Sequence, residues 1–239
     1  MRPESPVCPP LVAWGNAWLA GHVGLDEAAD RVEAVGGPVV AGELPLRRYL
    51  AELRADGLRE LRLALPAPGD PLGLSGPPPF NSAAVDAGQA VIAVLPDRCL
   101  GLVPGLDLRG SSYVGIRLSV QECGPVRHDL PSLAEAEREL TMAMRAATEA
   151  LTSVDGPSQE RPERLGRLGG ELAPGYPARA HRVSTLATRL SAVLELADER
   201  GLTTGQIAVR GSALRELDRA VRRALVAAHH AIFEPLRNQ

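Results

Sequence analysis

The sequence predicts an α+β protein in which N-terminal helices and a small antiparallel or mixed sheet precede a C-terminal helical hairpin or three-helix bundle. Short apolar runs of strand length lie between residues 58 and 120, too close together for repeated β-α-β units. From residue 131 onward, apolar residues recur every three or four positions, as in amphipathic helices. We therefore expect an α+β domain over 1–130 and a helical region over 131–239, with a polar linker at about 152–177.

Three helices are predicted near the N-terminus, over residues 11–21, 26–35 and 45–56. Trp14 and Trp18 lie four residues apart and share one side of the first helix. Asp26 is the expected N-cap of the second helix, because a side-chain carboxylate can accept from the exposed N–H groups of a first turn. Pro45 suits the first turn of the third helix.

Four strands are predicted over residues 58–66, 90–96, 99–106 and 113–120, with a fifth around 37–40. Leu61, Leu63 and Leu65 alternate with other residues, as expected for a half-buried strand. Residues 96–98, Pro-Asp-Arg, part the apolar run of the second strand from that of the third. A hairpin is the natural connection across so short a gap.

The C-terminal region is predicted to contain helices over about 133–151, 178–200 and 203–234. Ser132 and Glu135 have the spacing of a capping box at the first of these helices. The apolar residues of all three helices are interpreted as bundle core, as in the middle helix with Val183, Leu186, Leu190, Val193 and Ala197.

All 26 basic residues are arginine, since the chain contains no lysine. This composition is typical of GC-rich bacterial genomes such as those of actinobacteria. Without lysine, a Walker A nucleotide site, a Schiff-base mechanism and a protein-kinase site are all excluded. The chain also lacks the GxGxxG, GxSxG, HExxH and EF-hand patterns, so we predict no cofactor. The net charge of -3 argues against a general nucleic-acid or membrane-surface binder.

Three cysteines, Cys8, Cys99 and Cys123, are odd in number and lack the CxxC spacing. They indicate neither a disulfide framework nor a zinc site, so we predict no metal and a reducing, cytoplasmic location. The uncharged run over 7–25 contains two prolines and three glycines, which argues against a membrane anchor.

The histidines give weak candidates for chemistry. His128 and Asp129 are adjacent and could act as a base and the group that orients it, although neighbours in sequence normally point apart. His229 and His230 lie about 100° apart on a helix, which cannot bring both onto one metal ion. We expect one of this pair to pack and the other to face water.

Residues 196–221 superficially resemble a helix-turn-helix, because a helix, a turn at Gly201 and an arginine-bearing helix follow one another. The arginines available for phosphate contacts or for docking an acidic partner are Arg215, Arg219, Arg222 and Arg223. Glu216 and Asp218 share that helix, so a solvated helix face or a docking surface is the preferred interpretation.

The proline- and glycine-rich stretch over 66–81 is the least ordinary part of the chain. Residues 68–71, Pro-Gly-Asp-Pro, predict a turn in which Gly69 adopts a positive φ. Pro77–Pro79 are expected to form an extended rod leading to a helix capped by Asn81, with Phe80 packed on Val85 as a hydrophobic staple. Candidate side chains for a ligand or a partner are Asp70, Ser75 and Asn81.

These observations favour a cytoplasmic regulatory or adaptor protein that acts through contacts with an unidentified protein partner. The alternative is a small-molecule-binding protein or enzyme with a pocket beside the 66–81 loop. DNA binding through the basic C-terminal helices is the third hypothesis. A homo-oligomer is left open, and no membrane partner is expected.

Overall fold

The computed structural model describes residues 6–109, 113–126, 130–152, 171–198 and 207–234. Its helices are α1 (Cys8–Leu19), α2 (Leu25–Gly36), α3 (Leu46–Ala55), α4 (Pro78–Ala87), α5 (Leu133–Thr152), α6 (Ala178–Asp198) and α7 (Ile207–His230), followed by a short 3-10 helix (Ala231–Phe233). Its strands are β1 (Val39–Ala41), β2 (Leu44–Pro45), β3 (Glu60–Ala64), β4 (Ala90–Val94), β5 (Cys99–Arg109) and β6 (Tyr113–Cys123). The predicted α+β fold class is confirmed.

The chain divides into two compact units, one containing residues 1–130, 172–176 and 232–239 and the other 131–171 and 177–231. The described parts of the first unit contain one mixed sheet with the strand order β2-β1-β6-β5-β4-β3. β1 runs parallel to β6, and every other neighbouring pair is antiparallel. The predicted hairpin joins β4 to β5, and a longer hairpin joins β5 to β6.

Each face of the sheet is covered by different helices, and close contacts at glycines show which. On one face, a Cβ at Gly15 of α1 would overlap with Leu61 of β3. On the other face, a Cβ at Gly101 of β5 would overlap with the ring of Phe80 from α4. The sheet therefore has α1 on one face, with α2 and α3 beside that helix. The short helix α4 covers the other face.

The helix starts near the N-terminus differ from the predictions. α1 begins at Cys8, three residues before the predicted start, and the side chain of Gln89 accepts a hydrogen bond from the Cys8 N–H at 3.0 Å. Asp26 is not an N-cap, because Gly24 occupies that position and Asp26 lies in the first turn of α2. There the carboxylate still favours the helix electrostatically. Pro45 precedes α3 as its N-cap residue rather than entering the first turn.

Residues 172–176, the described end of the predicted polar linker, pack within the first unit. Leu172 and Tyr176 are buried there. The Tyr176 hydroxyl is hydrogen-bonded to Asn16 of α1, and burial raises the pKa of this tyrosine. A Cβ at Gly175 would overlap with the imidazole of His22, which places that isolated histidine against the same segment.

In the described part of the second unit, α7 packs extensively against both α5 and α6. α5 and α6 are joined directly by an ion pair between Glu137 and Arg179, whose Nε lies 2.6 Å from Glu137 Oε2, and otherwise have few close backbone approaches. The predicted capping box at α5 is confirmed. The Ser132 N–H donates to the Glu135 carboxylate at 2.9 Å, and the Glu135 N–H donates to Ser132 Oγ at 3.4 Å. These hydrogen bonds hold the pKa of Glu135 below its usual range.

The interpretation of every helical stripe as core is wrong for part of α6. Val183 is buried, but Leu186 is 39% exposed and Val193 is 45% exposed. Of these two, Leu186 lines a groove beside α5. Within the described residues, no helix combines the length and hydropathy that a membrane crossing requires.

Candidate functional site

The loop after β3 begins with a tight turn. The N–H of Ala67 donates to the carbonyl of Asp70, and the N–H of Asp70 donates back, each at 2.9 Å. Between them Pro68 and Gly69 occupy the turn, and Gly69 has the predicted positive φ of 79°. Proline followed by a glycine in this conformation is typical of a type II turn, which fixes where Asp70 lies.

The predicted cap at Asn81 is wrong, because α4 begins at Pro78 and Asn81 is already inside the helix. Proline is well suited to a first turn, where a missing N–H costs nothing, so Pro78 and Pro79 are helical rather than an extended rod. Asn81 Oδ1 accepts a hydrogen bond from the N–H of Gly76 at 3.0 Å. Its amide therefore holds the loop that precedes the helix.

The hydrophobic staple between Phe80 and Val85 is also wrong, since Phe80 is not the residue before an N-cap. Phe80 is completely buried and packs with Leu74 from the loop and Cys99 from β5. Val85 contacts the same cluster from a partly buried position. The loop thus closes the core beneath α4.

Ser75 is the third candidate side chain in this loop, and it is hydrogen-bonded to the residue that follows β6. Its Oγ donates to the carbonyl of Gly124 at 2.9 Å, and the Gly124 N–H donates to the carbonyl of Gly76 at 3.2 Å. A Cβ at Gly124 would overlap with the Ser75 carbonyl oxygen, so this close approach requires glycine. Ser75 and Asn81 share one network, while Asp70 lies apart at the turn.

A charged network that the sequence analysis missed lies on the β5–β6 hairpin. In the observed register Asp107 faces Gly115 and Arg117 faces Gly105, so each charged residue has a glycine directly across from it. This leaves room for the two side chains to meet diagonally, with Arg117 Nη2 at 3.4 Å from Asp107 Oδ1. The Asp107 side chain is 7% exposed.

Arg117 also connects the hairpin to the β1–β2 turn. Its Nη1 donates to the carbonyl of Gly42 at 2.6 Å and to the carboxylate of Glu43 at 3.0 Å. The guanidinium is therefore shared among three acceptors, including Asp107. The signal in the sequence was the repeated Gly-apolar-charged pattern over 105–107 and 115–117, which becomes meaningful only once the register is known.

The proposed basic face lies on α7 and contains Arg215, Arg219, Arg222 and Arg223. Arg222 Nε pairs with Asp218 one turn earlier at 2.9 Å. Arg223 Nε pairs with Glu139 of α5 at 3.2 Å. Arg222 and Arg223 thus make ion pairs within the helical unit, which lowers the positive potential of this face.

Of the histidine pair at the end of α7, His229 is the buried one, at 4% exposure, and His230 is half-buried. The Nδ1–H of His229 donates to the carbonyl of Leu225 at 2.7 Å if the ring carries its proton there. Burial lowers the pKa of His229 to about 4, so the ring is neutral at pH 7. The His128–Asp129 pair and the turn near Gly201 lie outside the described residues.

A shallow groove of about 470 Å³ lies along α5 and faces α6. Its lining consists of Thr141, Met144, Arg145, Thr148, Glu149 and Leu186. Met144 and Leu186 contribute its apolar surface, and they lie where a closed three-helix bundle would bury them. This groove combines an exposed leucine and a half-buried methionine with a polar margin.

Two protein-family models match the chain: "Rv1486c-like protein, N-terminal domain" over residues 9–132 and "Rv1486c-like protein, C-terminal domain" over 134–226. The boundary between them lies close to Pro131, where the helical unit begins.

Curated relatives are similar to the chain over nearly their whole length. "Uncharacterized protein Rv1486c" of Mycobacterium tuberculosis is 29% identical over 277 aligned positions, covering 93% of this chain and 96% of the relative. "Uncharacterized protein ML1804" of Mycobacterium leprae is 28% identical, with the same coverage of both chains. No solved structure matches. The two matched domains together span most of the sequence, and the chain belongs to the Rv1486c-like protein family.

Proposed function

We propose that this protein is a non-enzymatic adaptor or regulatory protein that binds a helix of a partner protein in the groove between α5 and α6. The observation that carries the proposal is the 39% exposure of Leu186 beside Met144 in this groove. Exposed apolar side chains rimmed by polar residues are typical of surfaces that bind other proteins.

The shape of the groove favours a helix as the occupant. α5 and α6 both pack on α7, and side chains from both helices line the groove. An amphipathic helix placed there would bury Met144 and Leu186 with ridges-into-grooves packing. The ion pair between Arg179 and Glu137 already joins α5 to α6, and the bound helix would add apolar contacts to both helices beside Leu186.

The margin of the groove indicates the polar character of the partner. Arg145 and Glu149 are exposed, lie one turn apart on α5 and carry opposite charges. A partner helix that carries both acidic and basic residues beside its apolar face complements this margin better than a uniformly acidic helix. Thr141 and Thr148 complete the margin without adding charge.

Two observations weigh against the alternative functions. Ser75 and Asn81 donate to or accept from backbone groups of the chain, which leaves less capacity for a ligand beside the 66–81 loop. Arg222 and Arg223 are paired with carboxylates, so a DNA phosphate would have to compete with Asp218 and Glu139.

A cytoplasmic location is part of the proposal. Cys8, Cys99 and Cys123 are all free thiols. Cys99 and Cys123 are direct neighbours across the β5–β6 pairing. The odd number of cysteines and the lack of a CxxC spacing fit a reducing compartment.

Site-specific photo-crosslinking in the native host tests the proposal. A benzoylphenylalanine in place of Leu186 should give one discrete adduct with a second protein, because the probe would lie within the interface. The matched control places the same probe at Leu108, which is also exposed but lies on the β5 strand. Adding Met144→Glu to the Leu186 probe chain should abolish the adduct, because a carboxylate would be buried against apolar surface.

The proposal is contradicted if the probe at position 186 gives no adduct. It is equally contradicted if the probes at 186 and 108 give the same adducts, or if Met144→Glu leaves the adduct unchanged. Circular dichroism of each variant shows that the helical unit remains folded.

A further inference from the structure

The side of α6 that borders the groove combines basic and apolar side chains. Its exposed members are Arg182, Leu186, Arg189 and Val193. They follow one another at intervals of four, three and four residues, so they lie within about 60° of one another around the helix axis. Two arginines and two apolar residues therefore form one continuous surface along α6, which we call the α6 strip.

The α6 strip continues the apolar surface of the groove along both helices. Glu137 of α5 is paired with Arg179 of α6, and seven residues later on each helix Met144 and Leu186 line the groove together. The equal spacing on the two helices shows that α5 and α6 run in the same direction. Val193 lies seven residues beyond Leu186, so it extends the exposed apolar surface by two further turns.

The two arginines of the α6 strip carry charges that their own helix does not balance. Within the described ranges, neither Arg182 nor Arg189 makes an ion pair with a carboxylate. The only acidic residue within 178–195 is Glu195, which lies two positions after the last residue of the strip and so points to another side of the helix. The strip therefore presents two positive charges beside its apolar side chains.

We propose that the helix bound in the groove is acidic along the edge that faces α6, an assignment that rests on the function proposed above. Arg182 and Arg189 are seven residues apart, so two carboxylates seven residues apart on the bound helix can meet both guanidinium groups. Leu186 lies between the arginines and packs against an apolar residue between those carboxylates. Across the groove Arg145 and Glu149 have opposite charges, so the edge that faces α5 carries both signs.

The apolar residues of the α6 strip favour a protein helix over a nucleic acid as the source of negative charge. Phosphates would pair with the arginines but would leave Leu186 and Val193 in water. An amphipathic helix covers both apolar side chains and supplies the carboxylates as well. Exposed ion pairs contribute little affinity each, so we expect the charges to select the helix and the apolar contacts to hold it.

Photo-crosslinking of the full chain in the native host, with benzoylphenylalanine in place of Leu186, tests the charge assignment. Arg182→Glu combined with Arg189→Glu should lower the adduct yield about tenfold, because two attractive pairs become repulsive. Arg182→Lys combined with Arg189→Lys keeps both charges and should leave the yield within about twofold of that of the starting chain. Arg59→Glu is the matched control, since it reverses an exposed arginine of the first unit.

Mass spectrometry of the adduct identifies the segment crosslinked at position 186. We expect two Asp or Glu residues seven positions apart in this segment, on the side that carries its apolar residues. Replacing both by lysine should restore crosslinking to the chain with Arg182→Glu and Arg189→Glu, because opposite charges then face each other again. The same lysines should weaken crosslinking to the chain that keeps its arginines, and this comparison needs no substitution in α6.

The outcomes separate the charge assignment from the proposed function. Absence of any adduct at position 186, or an adduct that nuclease digestion removes, overturns both. A protein adduct whose yield is unchanged when Arg182 and Arg189 are both replaced by glutamate overturns the charge assignment and leaves the proposed function standing. An adduct that maps to a segment without acidic residues does the same. Circular dichroism shows that each variant is folded.

Discussion

The side-chain amide of Asn16 occupies both main-chain groups of Leu61 on the outer edge of β3. Asn16 Nδ2 donates to the Leu61 carbonyl and the Leu61 N–H donates to Asn16 Oδ1, each at 2.8 Å. Asn16 is completely buried on α1, 45 residues away in the chain. The amide takes the place that the backbone of a seventh strand would occupy and joins α1 to the sheet.

Asn16→Ala should strongly destabilise the first unit. The substitution leaves a buried N–H and a buried carbonyl of Leu61 unsatisfied, and we expect the free energy of unfolding to fall by about 3 kcal/mol. Urea unfolding followed by tryptophan fluorescence measures the change. The comparison variant is Tyr176→Phe, which removes a single hydrogen bond to Asn16 and should cost about 1 kcal/mol. Equal losses in the two variants would contradict the role assigned to the amide.

Gly101→Ala tests the packing of α4 on the sheet. A methyl group at residue 101 would overlap with the Phe80 ring, and adjusting a completely buried ring should cost about 2 kcal/mol. Combining Gly101→Ala with Phe80→Leu should cost less than the sum of the single changes, because the smaller side chain makes room. Urea unfolding of the four proteins in this cycle measures the coupling. Additive losses would show that the two residues are not in contact.

The parts of the fold predicted from the sequence are those that depend on short-range pattern. The capping box of Ser132 and Glu135 needs only residues three apart, and it was predicted with its bonding partners. The alternation at Leu61 and Leu63 likewise predicted β3. Both features are determined locally, so a single sequence is sufficient to identify them.

The start of α4 could not be predicted in the same way. Pro78 and Pro79 are compatible with either an extended rod or a first helical turn, because proline's fixed φ suits both. The outcome is linked to Phe80, which packs over Gly101 on β5. Asn81 then falls inside the helix, and its predicted capping role is lost. The conformation of Pro78 and Pro79 therefore depends on a contact with Gly101, about twenty residues further along the chain, and not on the local sequence alone.

In the candidate site, too, local features could be predicted from the sequence and long-range contacts could not. The turn at Gly69 was predicted, but the bond from Ser75 to Gly124 depends on how the loop meets the end of β6. The bond from Arg117 to Asp107 depends on the register of β5 and β6. The exposure of Leu186 was also not predicted, since apolar periodicity identifies a helix face without saying whether another helix covers it.

Cys123 should react slowly with alkylating agents despite being only partly buried. Burial raises the pKa of its thiol to about 12, with a smaller contribution from Cys99 across the strand pair. At pH 8 the thiolate fraction would be roughly a thousandfold lower than for an ordinary cysteine, and the thiolate is the reactive form. Iodoacetamide labelling followed by mass spectrometry compares native and urea-unfolded protein. Labelling of native Cys123 at the unfolded rate would contradict this prediction.

His229 should make the helical unit sensitive to acid. Its native pKa of about 4 lies below the ordinary value of 6.5, so on acidification the unfolded chain binds a proton first. The stability present above pH 6.5 is therefore lost as the pH falls towards 4, and the loss reaches about 3 kcal/mol for this shift. Urea unfolding measured between pH 7 and pH 4 should show a smaller loss in His229→Gln than in the wild type.

The matched control for this prediction is His22→Gln, which replaces an exposed histidine of the first unit and should leave the acid-induced loss in place. His229→Gln also removes the ring that donates to Leu225, so its stability at pH 7 is expected to be lower than that of the wild type. The change in stability with pH, rather than stability at any one pH, therefore carries the test. If the two variants lose equal stability between pH 7 and pH 4, proton uptake by His229 is not the cause.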